Sequence, residues 1–272
     1  MLEAEKEIRE GVKVIEMVEY PEIDRYSSLD SQMHRFDPRA KIVAFIILIF
    51  AVVLVPNLKL ALIGLIGAIL FLIASKLPLR FALQHIKWVF LFVVPFIVIM
   101  PFTVSGAEIF SFFGLTMTYE GLEYGILVAV RALSAVILVL PMIATTRFDV
   151  TIKALGELKM PNMLVQMFMF TYRYIFVFVV EFQRTWRAMV ARGFQLKTNL
   201  YALKTIGRAL GTLFVRSYER GDRVYQALRA RGYTVKPKTL VEFKMRASDY
   251  VWTVVIIGFA VSLLVVPFVE VI

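Results

Sequence analysis

Arg192 and Arg231 each sit between an alanine and a glycine, in the octets RAMVARGF (Arg187–Phe194) and QALRARGY (Gln226–Tyr233). The two octets agree at both alanines, at the arginine and at the glycine. The chemistry such a unit can perform is recognition. A guanidinium fork binds carboxylate through two parallel hydrogen bonds, the small Ala191 or Ala230 lets a partner approach the backbone, and Gly193 or Gly232 turns the chain away. A single Ala-Arg-Gly is an ordinary helix terminator, with Gly at C′ and Arg complementing the helix dipole. Two matched copies in the most basic stretch of the chain read instead as paired plugs for a partner with two similar acidic grooves.

Other chemistries lack their residues. The 272-residue chain has no Cys and only His34 and His85, so neither a disulfide framework nor a thiolate or multi-histidine metal site can be assembled. No cofactor is expected. No G-x-x-x-x-G-K-[ST] loop, H-E-x-x-H or G-x-S-x-G occurs, which argues against ATP hydrolysis or membrane-hydrolase chemistry by this chain. Arg131 interrupts an apolar run and is a functional candidate by position. The other apolar runs offer it no acid, so it reads as a structural arginine bonded to backbone carbonyls or snorkelling outward.

The elements that must carry the paired endings follow from hydropathy and charge. The chain is 59% hydrophobic, with a mean hydropathy of +0.73, well above the 45–50% apolar content typical of soluble domains. Apolar runs that could cross a bilayer cover residues 42–58 and 60–75, joined by a tight PNLK turn, then 88–107, 122–146 and 250–269. The loop from Ala107 to Gly125 carries Glu108, Glu120 and Glu123 and no Lys or Arg, whereas Arg35, Arg39 and Lys41 precede the first run. The positive-inside rule then places the N-terminus in the cytoplasm. From Glu181 to Arg246 there are 15 basic and 4 acidic residues. If the apolar stretch Pro161–Phe182 also crossed, that segment would lie outside and Arg173 would sit in hydrocarbon. The expected architecture is therefore an all-α, polytopic membrane protein with about five transmembrane helices. Residues 1–41 form a cytoplasmic N-terminal segment, 42–146 helices one to four, 147–248 a cytoplasmic or interfacial coupling region, and 249–272 the last helix. The charged N-terminus lacks the apolar core of a signal peptide and is expected to stay on the mature protein.

Within the coupling region the spacing predicts two long crossed helices, at about Pro161–Arg192 and Tyr201–Arg231, each roughly 45–50 Å long. Leu203, Ile206, Leu210, Leu213, Val224 and Leu228 mark an apolar stripe on the second, and Ser217 and Gly221 are small enough to admit a crossing helix. On the first, Met163, Met167, Phe168, Met169 and Phe170 make a soft apolar surface. Such a surface suits repacking against partners and equally suits anchoring an in-plane helix in lipid. Asp37-Pro38 reads as an N-cap followed by Pro at N1.

Taken in order, DSQMHRFDPRAKIV (Asp30–Val43), GLEYGILVAVRALSAVILVL (Gly121–Leu140), TTRFDVTIKALGELKMP (Thr145–Pro161) and the two endings resemble the transmembrane T component of energy-coupling factor (ECF) transporters, the EcfT/CbiQ-like proteins. The resemblance runs from about Asp30 to the C-terminus. It implies a non-catalytic scaffold in the cell membrane that joins two ABC-type ATPase subunits to a substrate-binding membrane S component for a vitamin or a transition-metal ion. The family's ATPase-docking arginine motifs map onto Ala191-Arg192-Gly193 and Ala230-Arg231-Gly232. The soft apolar surface of Met163, Met167, Phe168, Met169 and Phe170 is then the expected contact for the S component. A stand-alone ion-coupled secondary transporter is the rival reading; it predicts uptake in liposomes without any ATPase. A nucleic-acid tether predicts binding that falls steeply with salt. The apolar stripe through the basic segment argues against it, and no nucleic-acid partner is expected.

Overall fold

The computed structural model describes residues 24, 26–27, 29–112, 115–233, 243 and 245–269. The first part of the expected N-terminal segment, residues 1–23, lies outside the described residues. The chain divides into two compact units, one built from Asp24–Leu158 with Glu242–Ile272 and the other containing Lys159–Val241.

The first unit is a helical bundle. A short α1 (Gln32–Arg35) leads into α2 (Pro38–Leu54), α3 (Leu58–Ala74) and α4 (Leu79–Thr103). A hairpin of β1 (Glu108–Phe112) and β2 (Leu115–Thr118) follows, then α5 (Tyr119–Ala144), α6 (Phe148–Glu157) and, after the second unit, α9 (Ala247–Val269). α2 starts as its sequence dictates. The Asp37 carboxylate accepts the Arg39 N–H at 2.9 Å, and Pro38 takes the first-turn position whose N–H would have no partner. α2 packs against α5, α9 and α6, and α5 also packs against α3 and α4. Phe45, Leu48 and Val52 of α2, Leu138 of α5 and Ile256 and Ala260 of α9 are fully buried at these contacts. Where α4 crosses α5, a Cβ on Gly121 would come within 2.7 Å of the Met100 carbonyl oxygen and the Pro101 Cα. Only glycine permits that approach.

The outer surface of the bundle is apolar. Phe50, Leu54, Leu70 and Phe92 point outward with most of their area exposed, which is stable only where the solvent is lipid. By length and apolar composition, Leu79–Thr103, Tyr119–Ala144 and Ala247–Val266 can each cross a bilayer. α2 and α3 have 17 residues each, about 25 Å, near the lower limit for a span. These five helices match the five expected runs, with two differences. α4 begins at Leu79 rather than at Trp88, because its first turns carry Arg80, His85 and Lys87 and a helix continues through polar residues that hydropathy rejects. The acidic loop also holds an antiparallel β-hairpin, with Phe110 opposite Met117 and Phe112 opposite Leu115.

Among the described residues the second unit comprises two long helices, α7 (Asn162–Ala191, 30 residues) and α8 (Leu200–Ala230, 31 residues). Both ends of each fall within a residue of the positions predicted from sequence. α7 satisfies length and composition for a span as α4, α5 and α9 do. Asn199 caps α8, its side-chain oxygen accepting the Ala202 N–H at 2.7 Å. The helices meet near mid-length. Arg216 pairs with Glu181, and Phe178, Leu213, Ser217 and Arg220 surround the pair. Ser217 is thus at the contact, as expected, but Gly221 is not. A Cβ there would meet nothing within 4 Å, because Gly221 lies on a side of α8 that α7 does not cover.

Candidate docking ends of the two long helices

The two Ala-Arg-Gly units end α7 and α8 in the same way. At the first, the Gly193 N–H donates to the Val190 carbonyl at 2.9 Å and the Phe194 N–H to the Met189 carbonyl at 3.1 Å. At the second, the Gly232 N–H donates to the Arg229 carbonyl at 3.0 Å and the Tyr233 N–H to the Leu228 carbonyl at 3.0 Å. Each is a Schellman cap, in which the residue after glycine reaches back five positions and glycine itself three. The cap needs a left-handed residue, and Gly193 (φ 82°) and Gly232 (φ 67°) supply it. Glycine and the aromatic after it are therefore explained by helix termination alone.

The arginines are not explained that way. Arg192 and Arg231 occupy the C-cap positions and are exposed. Among the described residues neither guanidinium makes an ion pair or a hydrogen bond. Each is a free five-donor fork beside an exposed alanine, Ala191 or Ala230, on a chain that turns sharply aside. The first ending is buttressed from within, since Trp186 is buried and the Phe194 ring packs edge-on against it at 5.8 Å.

The Met163–Phe170 surface is less unified than its composition suggested. Met163, Met167 and Phe170 fall along one side of α7 at helical spacing, whereas Phe168 and Met169 fall on other sides. Met163, Met167 and Phe168 are exposed; Met169 and Phe170 are half-buried. Arg131 proves to be a backbone-bonded arginine, its Nη2 donating to the Val55 carbonyl at the C-terminal end of α2. A cation on terminal carbonyls complements the helix dipole.

Sequence reasoning passed over one cluster. Lys41 is 1% exposed, and its Nζ donates to Thr145 Oγ1 at 3.0 Å and Thr146 Oγ1 at 2.7 Å. The Thr145 hydroxyl in turn donates to the Pro141 carbonyl at 2.6 Å. The start of α2 and the end of α5 are thereby tied, which brings together the DPRAK and TTRFD stretches. Arg39 of the same segment donates to the Phe243 carbonyl at 3.3 Å, and its guanidinium lies 5.2 Å from the centre of the Phe243 ring. The only signal in the sequence was a lysine placed directly before a long uncharged run, which charge rules read as an ordinary inner-face cation.

The family described as "Cobalt transport protein" (CbiQ) matches residues 30–241, a span that contains both endings and both tied stretches. The chain belongs to the CbiQ family. It is 24% identical over 251 residues to the energy-coupling factor transporter transmembrane protein EcfT of Heliobacterium modesticaldum, covering 87% of this chain and 93% of that protein. Against EcfT of Bacillus subtilis it is 29% identical over 228 residues, 78% of this chain and 84% of that protein. An uncharacterized protein of Methanocaldococcus jannaschii, MJ1571, is 25% identical over 238 residues, 83% of this chain and 80% of that protein. As a CbiQ-family chain with a bundle of apolar helices, the protein is a membrane component of ECF-type transporters.

Proposed function

We propose that the chain is the T subunit of an ECF-type importer, a non-catalytic scaffold that couples two partner ABC-type ATPases to a substrate-binding S component for vitamin or transition-metal uptake. The observation that carries this reading is the pair of matching helix ends, each presenting an exposed guanidinium that has no partner among the described residues. A C-cap arginine needed only for its own helix would lie back over the last carbonyls. Arg192 and Arg231 instead stand free to enter acidic grooves, one on each ATPase. Closure of the ATPases on ATP would then move both long helices, and the exposed apolar turns of α7 around Met163 and Met167 would pass that motion to the S component. Charge supports the orientation. The basic segment containing both ends belongs in the cytoplasm, with the N-terminus there too and the β-hairpin loop outside the plasma membrane.

The test is co-purification of the ATPases with the tagged chain from native membranes. Arg192→Glu combined with Arg231→Glu abolishes recovery of both ATPases while the membrane fold stays intact. Either change alone weakens recovery less, because one plug remains seated. A bidentate arginine lost from a desolvated pair costs about 2 kcal/mol or more, roughly thirtyfold in affinity. Full recovery with the double variant refutes the docking role. Because the chain has no cysteine, topology can be read separately. A cysteine introduced between Gly193 and Tyr233 must resist an impermeant label applied from outside the cell.

A further inference from the structure

The chain leaves the bundle at Leu158, after α6, and returns to it at Glu242, ahead of α9. The bundle ends of these two passages are held by one short segment. On the leaving side, Lys41 Nζ donates to the Thr145 and Thr146 hydroxyls just before α6. The Asp24 carboxylate accepts the Phe148 N–H at 2.8 Å and so caps α6 from a distant part of the chain. α6 packs against α2, and its Ile152 and Ala154 are buried. On the returning side, Arg39 Nη2 donates to the Phe243 carbonyl at 3.3 Å, with the guanidinium 5.2 Å from the centre of that ring. Asp37 steadies the guanidinium, its Oδ2 accepting from Nη2 at 3.3 Å. Three residues past Phe243, the Arg246 N–H donates to the buried Asp249 carboxylate at 2.7 Å, which starts α9.

Both grips come from the start of α2. Arg39 and Lys41 are two residues apart, which on a helix turns their side chains about 200° from each other. One therefore serves the returning chain and the other the leaving chain, and neither can do both. Starting α2 does not require either cation, because Asp37 caps it and Pro38 fills its first position. Cations at a helix N-terminus oppose its dipole, and a fully buried Lys41 is not a cation reaching for water at the membrane face. What the two residues do is attach neighbours to α2. α2 itself packs against α5, α6 and α9, with Phe45, Leu48 and Val52 buried. A helix set in a close-packed core passes a displacement on rather than absorbing it.

We propose that Arg39 and Lys41 are positioning residues that fix the bundle ends of both passages to α2, so that the two ends move together and displacement of the long helices arrives in the bundle as displacement of α2. A passage held only by its own turns yields locally. With both on one rigid base, loosening either is felt at the other. The role in transport rests on the reading that ATPases drive the long helices, and goes beyond it by naming the residues that receive the motion.

The experiment uses the full chain in nanodiscs with its co-purified ATPases and S component. It reads the opening equilibria of the Phe148, Thr151, Arg246 and Asp249 amides, from deuterium exchange divided by the intrinsic rate, with and without ATP plus vanadate. In the parent complex, vanadate trapping should change opening on both passages by about fivefold or more, the equivalent of one hydrogen bond made or lost. Thr145→Val with Thr146→Val, or Arg39→Met, should leave ATPase recovery and hydrolysis within about twofold of the parent while cutting that response to less than about twofold. Thr145→Ser with Thr146→Ser keeps both hydroxyls and Arg39→Lys keeps a charged donor, and each should preserve the response. Loss of folding cannot mimic this pattern, because it would remove ATPase recovery as well. A response that persists in the Val and Met variants, or is absent from a parent complex that hydrolyses ATP, overturns the proposal. Failure of the docking reading is seen separately, as a parent chain that recovers no ATPase. The chain alone then still decides: Thr145→Val with Thr146→Val should open the Arg246 and Asp249 amides, and Arg39→Met those of Phe148 and Thr151. Effects confined to the mutated side overturn the proposal whatever the ATPases do.

Discussion

Replacing Gly193 by alanine should unlock the end of α7 without touching the neighbouring arginine. Gly193 has φ 82°, and an L-residue held in the left-handed region costs roughly 1–2 kcal/mol. No further steric cost arises, because a Cβ at Gly193 would meet no atom within 4 Å. The penalty therefore falls on the cap alone, on the Phe194 N–H to Met189 bond at 3.1 Å and the Gly193 N–H to Val190 bond at 2.9 Å. One to two kcal/mol corresponds to roughly a five- to thirtyfold rise in the open population. Amide hydrogen exchange on the protein in nanodiscs should show that rise at residues 193 and 194, with amides near mid-helix unchanged. Gly193→Asn should lie in between, since asparagine tolerates the left-handed region. Gly232→Ala should act likewise on residues 232 and 233, where φ is 67°. Arg192→Ala should leave exchange at 193 and 194 within about twofold of the parent while weakening ATPase recovery. If Gly193→Ala leaves those amides unaffected, or Arg192→Ala accelerates them as strongly, the division between a capping glycine and a docking arginine is wrong.

Two further outcomes follow from the bundle. Lys41→Met removes a buried hydrogen bond to Thr145 and a partly buried one to Thr146, and should destabilise the bundle by about 1–3 kcal/mol, seen as a lower thermal midpoint in nanodiscs; Thr145→Val with Thr146→Val added to it should cost less than the separate losses combined. His34 bonds Ser31 Oγ at 2.7 Å through Nδ1 and the Tyr26 carbonyl at 2.9 Å through Nε2, and burial holds its pKa below the usual 6.5 despite the Tyr26 bond. The folded chain then binds fewer protons than the unfolded one, so His34 contributes stability that is present above pH 6.5 and lost as pH falls through its folded value. The opening equilibrium of the Ser31–Arg35 amides, taken from exchange after division by the intrinsic rate at each pH, should rise on acidification below pH 6.5 and this dependence should vanish in His34→Gln; an opening equilibrium that stays flat with pH in the parent chain refutes the assignment.

Much of the architecture was legible because its signals are local. The ends of α7 and α8 fall within a residue of the predicted bounds, since Pro161, Gly193 and Gly232 act on their own turns and the apolar spacing between them is helical. The Asp37-Pro38 start of α2 was readable for the same reason. The hairpin Glu108–Phe112 with Leu115–Thr118 went unread, because short strands beside a long helix carry too few residues for their alternation to stand out.

By itself the sequence determined that the chain is helical and lipid-solvated and that two of its helices end in the same Ala-Arg-Gly unit, because hydropathy, helical period and capping depend on neighbours a few residues apart. Only the tertiary structure decided which groups meet at long range: Lys41 with Thr145, 104 residues on, Arg131 with the Val55 carbonyl, and Arg216 with Glu181. It also decided that Ser217 joins the contact with α7 while Gly221 stays open. Residue type states what a side chain can bond to. Which face of a helix turns toward another, and at what height, is settled by packing of the whole bundle, and no local pattern encodes it.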